Sequence, residues 1–146
     1  MFTIQQAEFS DCAAVALLAR QLWPHHTAEE LEAEFTPLLQ STNAAVFLAF
    51  EGSLPVGFAQ CQLRHDYVEG TSSSPVGYLE GIFVTPASQK QGIAHTLLTA
   101  CENWAREKGC TEFASDCELT NEDSLRFHLS MGFAEANRII CFTKKL

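Results

Sequence analysis

Basic residues are scarce in this chain. Nine Lys and Arg stand against 18 Asp and Glu among 146 residues, a formal net charge of −9. Nucleic-acid binding needs clustered cations on the phosphates, so that class of partner is not expected. Long apolar runs are missing as well. None approaches the roughly 20 residues of a membrane-spanning helix. The start, Met1-Phe2-Thr3-Ile4-Gln5, has neither the basic residues nor the apolar stretch of a secretory signal. The expectation is a cytoplasmic protein with no membrane partner. The six cysteines, at 12, 61, 101, 110, 117 and 141, include no CxxC pair and no metal-site spacing. They are expected to be buried free thiols, and no metal is expected. Repeats, low-complexity tracts and linkers are also absent, which leaves one domain over residues 1–146.

With 47% hydrophobic residues the chain can build a sizeable core. Its excess of acid has two readings: solubility, or a negative potential that draws cations into a cleft. The order of elements can be followed along the chain. Phe2 to Gln5 reads as a strand. Ser10 is placed to cap a helix bearing Val15, Leu18 and Leu22, which Pro24 stops. Thr27 to Glu30 has capping-box spacing and opens a helix to about Leu39. Ala44–Phe50 and Val56–Leu63 flank the turn Glu51-Gly52-Ser53 and predict a hairpin. A polar loop from His65 to Pro75 leads to a strand, Gly77–Val84. A helix follows from Gly92 to about Lys108, ended by Gly109. Then come a strand at Glu112–Cys117, a helix at about Asp123–Met131 closed by Gly132, and a last strand at Ile139–Phe142. This is an α/β (α+β) domain with four helices packed on a mixed, mostly antiparallel sheet.

The segment Val84-Thr85-Pro86-Ala87-Ser88-Gln89-Lys90-Gln91-Gly92-Ile93-Ala94 carries the most chemistry. A strand ends, a short turn follows, and a helix opens at glycine. Unpaired N–H groups at a helix N-terminus, reinforced by the helix dipole, suit a diphosphate. Gly92 and Ala94 allow close approach, and Lys90 adds a charge. The Gly-Lys-Ser/Thr ending of a nucleotide P-loop is absent.

The pattern Gln-x-x-Gly-x-Ala at 89–94, after Val84-x-Pro86, resembles the acetyl-CoA signature of the GCN5-related N-acetyltransferases. Asn121-x-x-Ser124-x-x-Phe127-His128-x-x-Met131-Gly132-Phe133 resembles their later motif. The resemblance implies a sheet whose central strands splay at a bulge. Backbone groups of Ile82, Phe83 and Val84 would bind the pantetheine arm of acetyl-CoA. Lys90, Gln91, Gly92, Ile93, Ala94 and His95 would hold its pyrophosphate, and Asn121 would lie near its sulfur. Many members carry a Tyr where His128 stands, as general acid for the departing thiolate. A histidine, with an ordinary pKa near 6.5, could give that proton or could be structural.

A closer resemblance runs almost end to end. Gln21-Leu22-Trp23-Pro24, Arg64-His65-Asp66-Tyr67-Val68, Ser73-Ser74-Pro75-Val76, Leu79-Glu80-Gly81-Ile82-Phe83-Val84 and Ala114-Ser115-Asp116 look like aminoglycoside 6'-N-acetyltransferases. It implies acceptor contacts at Trp23, His26, Tyr67, Glu80 and Asp116. Asn137 stands where a related site often has Glu, which weakens one amine contact. It also implies a homodimer with a partly shared acceptor cleft.

The residues fit that chemistry. An amine must lose a proton before it attacks a thioester, and a positioned carboxylate can take it. Glu80 lies in an apolar strand, and Asp116 ends the next one, across the splay. Which is the base and which only positions the substrate stays open. The acids Glu29, Glu30, Glu32, Glu34, Asp66 and Glu69 either form a solvated surface or border the cleft. Trp23 and Tyr67 either stack on sugar rings or pack in the core. Two rivals to an aminoglycoside acetyltransferase remain: an enzyme for another polyamine or a peptide N-terminus, and an inactive acetyl-CoA-binding sensor.

Overall fold

The computed structural model describes all 146 residues. Its five strands are β1 (Thr3–Gln6), β2 (Ala44–Glu51), β3 (Leu54–Arg64), β4 (Val76–Val84) and β5 (Phe113–Ser115). Its helices are α1 (Cys12–Leu22), α2 (Ala28–Leu39), α3 (Ile93–Glu107) and α4 (Glu122–Ser130). The sheet runs in chain order β1-β2-β3-β4-β5. The first three pairings are antiparallel and the last, β4 with β5, is parallel. A parallel neighbour needs a crossover, and α3 supplies it.

Helices cover both faces. Side chains alternate across a strand, so β2 serves two cores. Ala45 and Ala49 face α3, where Leu97, Leu98, Cys101 and Trp104 fill the interior with Ala59, Cys61 and Leu79. Val46 and Leu48 face α1 and α2, against Val15, Leu18, Ala19, Leu31, Phe35 and Phe58. Small alanines on one side let α3 sit close to the sheet, while bulky residues on the other fill the wider space under two helices. Leu97 and Leu98 are fully buried, a contribution of about 1.5–3 kcal/mol each.

The helix starts differ from their sequence reading in detail. Ser10 lies inside a 3-10 turn, Phe9–Asp11, and caps nothing. That entry is held instead by Asp11, whose carboxylate accepts the Glu8 N–H at 2.8 Å. Thr27 does cap α2, accepting from the Glu30 N–H at 3.1 Å. The capping box is only half made, because the Glu30 carboxylate turns to His26 Nδ1 at 3.2 Å.

Two expected strands change. The strand at 112–117 shrinks to Phe113–Ser115, so Asp116 lies just past its end. The strand expected at Ile139–Phe142 does not form, and the chain beyond Gly132 has no helix or strand. Its strand-like residues face outward, with Ile139 69%, Ile140 81% and Phe142 88% exposed. A strand exists only through pairing, and no strand edge of the same chain meets this segment. Among the cysteines all six thiols are free, but only Cys61, Cys101 and Cys110 are buried. Cys117 and Cys141 are exposed, contrary to expectation. No helix is long and apolar enough to cross a membrane.

Candidate active site

A bulge in β4 creates the site. Gln60 of β3 pairs with Gly81 and Cys61 pairs with Leu79, which leaves Glu80 as the unpaired residue between them. A bulge bends its strand and re-aims the extra side chain. On its other side β4 pairs with β5 only through Gly77, Tyr78 and Leu79. Beyond Leu79 the far edge of β4 pairs with no strand, so the peptide groups of residues 80–84 on that side are open to a ligand, apart from the Val84 carbonyl, which accepts from Gln89. The splay and the sequence-predicted stretch Ile82-Phe83-Val84 therefore coincide.

That free edge leads into the turn before α3. Lys90 has φ 64° and Gly92 φ 84°, both in the left-handed region. Glycine takes that conformation without strain, and a Cβ at Gly92 would meet nothing within 4 Å, so the space above it is clear. The first helical hydrogen bond of α3 runs from the Thr96 N–H to the Gly92 carbonyl at 3.0 Å. The N–H groups of Ile93, Ala94 and His95 consequently lack helical acceptors. The Gln89 side chain donates to the Val84 carbonyl at 3.0 Å and ties the turn to the end of β4. Lys90, Gln91 and His95 are exposed around it. His95 Nδ1 lies 3.2 Å from Met131 Sδ, which links this turn to the end of α4.

Two cavities flank the bulge. The smaller, about 460 Å³, is lined by Trp23, His26, Glu34, Gln60, Gln62 and Glu80 among others. The larger, about 940 Å³, includes Arg64, Tyr78, Ser115, Asp116, His128 and Asn137. The expected acceptor residues are thus divided between them. Tyr67 lines neither; it is exposed and donates its hydroxyl to Glu69 at 3.1 Å. Trp23 takes the core-packing role. It packs 6.5 Å from Phe35 and 6.0 Å from Phe58, ring centre to ring centre, and still walls the smaller cavity. Its ring lies on Gly81, where a Cβ would come within 2.6 Å of it.

Glu80 and Asp116 are not free acids. Arg64 Nη2 donates to Glu80 Oε1 at 2.7 Å and Oε2 at 2.9 Å. The guanidinium also lies 3.5 Å over the Tyr78 ring. The Tyr78 hydroxyl donates in turn to Asp116. Burial pulls Arg64 down, but the hydrogen bond and the charge of Glu80 outweigh it and lift the guanidinium above its ordinary value. Burial, with the bond to Asp116, pushes the Tyr78 phenol well above the usual tyrosine range. Sequence reasoning missed Arg64 and Tyr78. One signal existed: Gln60, Gln62 and Arg64 recur at the strand period, a polar stripe on a strand that is otherwise apolar.

His128 is held at both nitrogens. Its Nδ1 lies 2.7 Å from the Ser124 carbonyl, so Nδ1 carries the proton and donates. Its Nε2 lies 2.8 Å from Ser115 Oγ, and that hydroxyl is 3.3 Å from the Leu79 carbonyl at the mouth of the splay. Ser115, also missed from sequence, thus stands between His128 and the open edge of β4. Asn121 caps α4, its side-chain oxygen accepting the Ser124 N–H at 3.1 Å. Asn137 is exposed and accepts from the Arg138 N–H at 2.8 Å.

Comparison with known proteins agrees with this geometry. The model of the Acetyltransferase (GNAT) family matches residues 9–133. An aminoglycoside N(6')-acetyltransferase type 1 of Stenotrophomonas maltophilia is 43% identical over 145 residues, 99% of this chain and 94% of that protein. The protein of the same name from Salmonella typhimurium is 41% identical over 128 residues, 88% of each chain. Among solved structures, AAC(6')-Iy in complex with the bisubstrate analogue CoA-S-monomethyl-acetylneamine superposes with a TM-score of 0.95. It has 38% identity, over 100% of this chain and 99% of that one. The aminoglycoside antibiotic 6'-N-acetyltransferase AAC(6')-Ih of Acinetobacter baumannii superposes at 0.93 with 35% identity, over 100% and 99% of the two chains. A bulged β4 parting from β5, an uncapped α3 N-terminus and this agreement along the whole chain place the protein in the GNAT acetyltransferase family.

Proposed function

We propose that the protein transfers acetyl from acetyl-CoA to the 6'-amine of aminoglycoside antibiotics, and so confers resistance to them. The observation that carries this reading is the bulge at Glu80. It aims a carboxylate into an acidic acceptor cavity at the place where β4 offers its free peptide edge.

The residues present fit the coenzyme. Three successive unpaired N–H groups, those of Ile93, Ala94 and His95, open under clear space at Gly92 and suit a diphosphate. Lys90 and Gln91 border it, and the free edge at Ile82, Phe83 and Val84 suits the amides of a pantetheine arm. When bound, acetyl-CoA supplies an acyl carbon open to attack by an amine. The protein does the rest. Trp23, His26 and Glu34 wall the cavity for the sugar, with Tyr67 and Asn137 placed outside it. Glu80 binds the ammonium and takes its proton, directly or through water. Asp116, held by Tyr78, positions a second amine. In its imidazolium form His128 would pass the Nε2 proton to the Ser115 oxygen as that hydroxyl gives its own proton toward the splay, while Nδ1 keeps its proton on the Ser124 carbonyl. Orientation supplies much of the rate.

Steady-state kinetics with kanamycin, spermine and a peptide N-terminus test the substrate class. Kanamycin is expected to have the highest kcat/KM. Faster turnover of spermine or the peptide would overturn the assignment.

We infer also that two copies pair. The apolar side chains of Ile139, Ile140 and Phe142 lie exposed within four residues, on a segment with strand character and no partner in its own chain. A second copy would cover them. Sedimentation should report a dimer, and a chain ending at Ala136 should be monomeric.

A further inference from the structure

We propose that Arg64 is an internal counter-cation of the acceptor cleft. It sits where an ammonium of the substrate binds, and the substrate displaces it. This rests on the amine-acceptor reading above and names the residue that sets the competition for the site.

Arg64 closes β3 and reaches across the bulge. It holds Glu80 through one nitrogen, Nη2, which bonds both carboxylate oxygens at 2.7 and 2.9 Å. Its Nε and Nη1 have no hydrogen-bond partner within the protein. The two-pronged grip that makes Arg–carboxylate pairs strong is therefore not used. A primary ammonium can present two N–H groups to the same two oxygens, and it can lie on the Tyr78 face as the guanidinium does at 3.5 Å. The position is a cation site made of one carboxylate and one aromatic face. A second carboxylate, Asp116, polarises that ring through its hydroxyl.

The ion pair is also a partition. Glu80 lines the smaller cavity, whereas Arg64, Tyr78 and Asp116 line the larger. Withdrawal of Arg64 would join the two, giving an acceptor with several amines a continuous path. The Arg64 side chain is 37% exposed against 17% for Glu80, so the long stem can swing to water while the carboxylate stays on the bulge. Because one cation must leave as another enters, a single amine gains little. A polycation, whose further charges find Asp116 and Glu34, outcompetes the guanidinium. Arg64 thus sets a threshold that favours polycations over monoamines.

Calorimetry with the full-length protein tests this at fixed, low ionic strength. Kanamycin should bind Arg64→Gln at least about fivefold more tightly than wild type. Glucosamine, with one amine, should gain more than kanamycin does. Arg64→Lys, which keeps the charge, should remain near wild type. Unchanged or weaker kanamycin binding by Arg64→Gln would overturn the proposal, since a residue that merely holds Glu80 in place would weaken binding when lost. CoA affinity, measured on the same samples, reports folding. Should Arg64→Gln fail to fold, NMR of the wild-type Arg64 side chain decides. Its Nη2 protons should exchange slowly in the free protein and fast in the kanamycin complex, and slow exchange in both states would refute displacement. Wild-type protein that binds no aminoglycoside would instead sink the proposed function itself.

Discussion

Adding one methyl group at Gly81 should disturb acceptor binding and leave the coenzyme site intact. A Cβ built there lies 2.6 Å from Trp23 Cη2, 2.7 Å from Trp23 Cζ2 and 3.3 Å from Leu22 Cδ2. Carbon atoms pack at about 3.5–4.0 Å, so the indole must retreat by about 1 Å. It cannot retreat into the core, where Phe35 and Phe58 already meet it. The open direction is the smaller cavity. Overpacking of this kind costs about 1–3 kcal/mol, which in a domain of this size lowers Tm by about 3–10 °C. Gly81→Ala should therefore melt earlier, raise the KM for aminoglycosides and shift Trp23 fluorescence, with little change in CoA affinity. Replacing Trp23 by Leu in the same chain should recover stability relative to the sum of the two single changes. The reasoning fails if Gly81→Ala leaves Tm and acceptor KM at wild-type values, because the indole would then not rest on that strand.

Glu80→Gln should lower kcat/KM for kanamycin by about 10²- to 10⁴-fold, the usual worth of a positioned base, while calorimetric CoA affinity is retained; unchanged turnover would remove Glu80 from the mechanism. Ser115→Ala should disconnect His128 Nε2 from the splay, so turnover should fall while CoA affinity is retained, and Ser115→Thr should restore it. The loop between β3 and β4 should loosen in acid. Glu112 accepts from the Ser73 hydroxyl and from the Ser72 N–H at 2.9 Å, and these bonds hold its carboxyl below the ordinary value. A carboxyl depressed in the folded state adds stability above its unfolded pKa of about 4.3, and that is lost as pH falls through the folded value. Hydrogen exchange at Ser72 should accelerate below about pH 4 and stay slow at neutral pH, and Glu112→Gln should abolish the difference.

Local signals in the chain reached most of the fold. The apolar run Ala44–Phe50, the Thr27 cap and the glycine at 92 each act over a few residues, so their elements appear where local pattern puts them. What depends on distant partners was not legible. Ile139–Phe142 has the composition of a strand, yet no edge of its own chain meets it. The site shows the same division. Glu80, Asp116 and His128 stand out in the sequence as candidates because a carboxylate or imidazole carries chemistry on its face. Arg64, 16 residues from Glu80, and Ser115, 13 from His128, matter only through partners that folding brings to them. Asp116 and Glu80 read as free acids in sequence for the same reason. Of the two roles open to Trp23, core packing is the one its contacts show, with the indole also at the wall of the smaller cavity.

Acetyl transfer by this protein depends on the start of α3 as a seat for a coenzyme diphosphate. Calorimetric titration of the purified protein with CoA and with acetyl-CoA tests this most directly. Saturable binding of one equivalent per chain is predicted, weakened in Gly92→Val, where a side chain and a strained backbone would intrude on the cradle. No measurable affinity for either form would contradict the account.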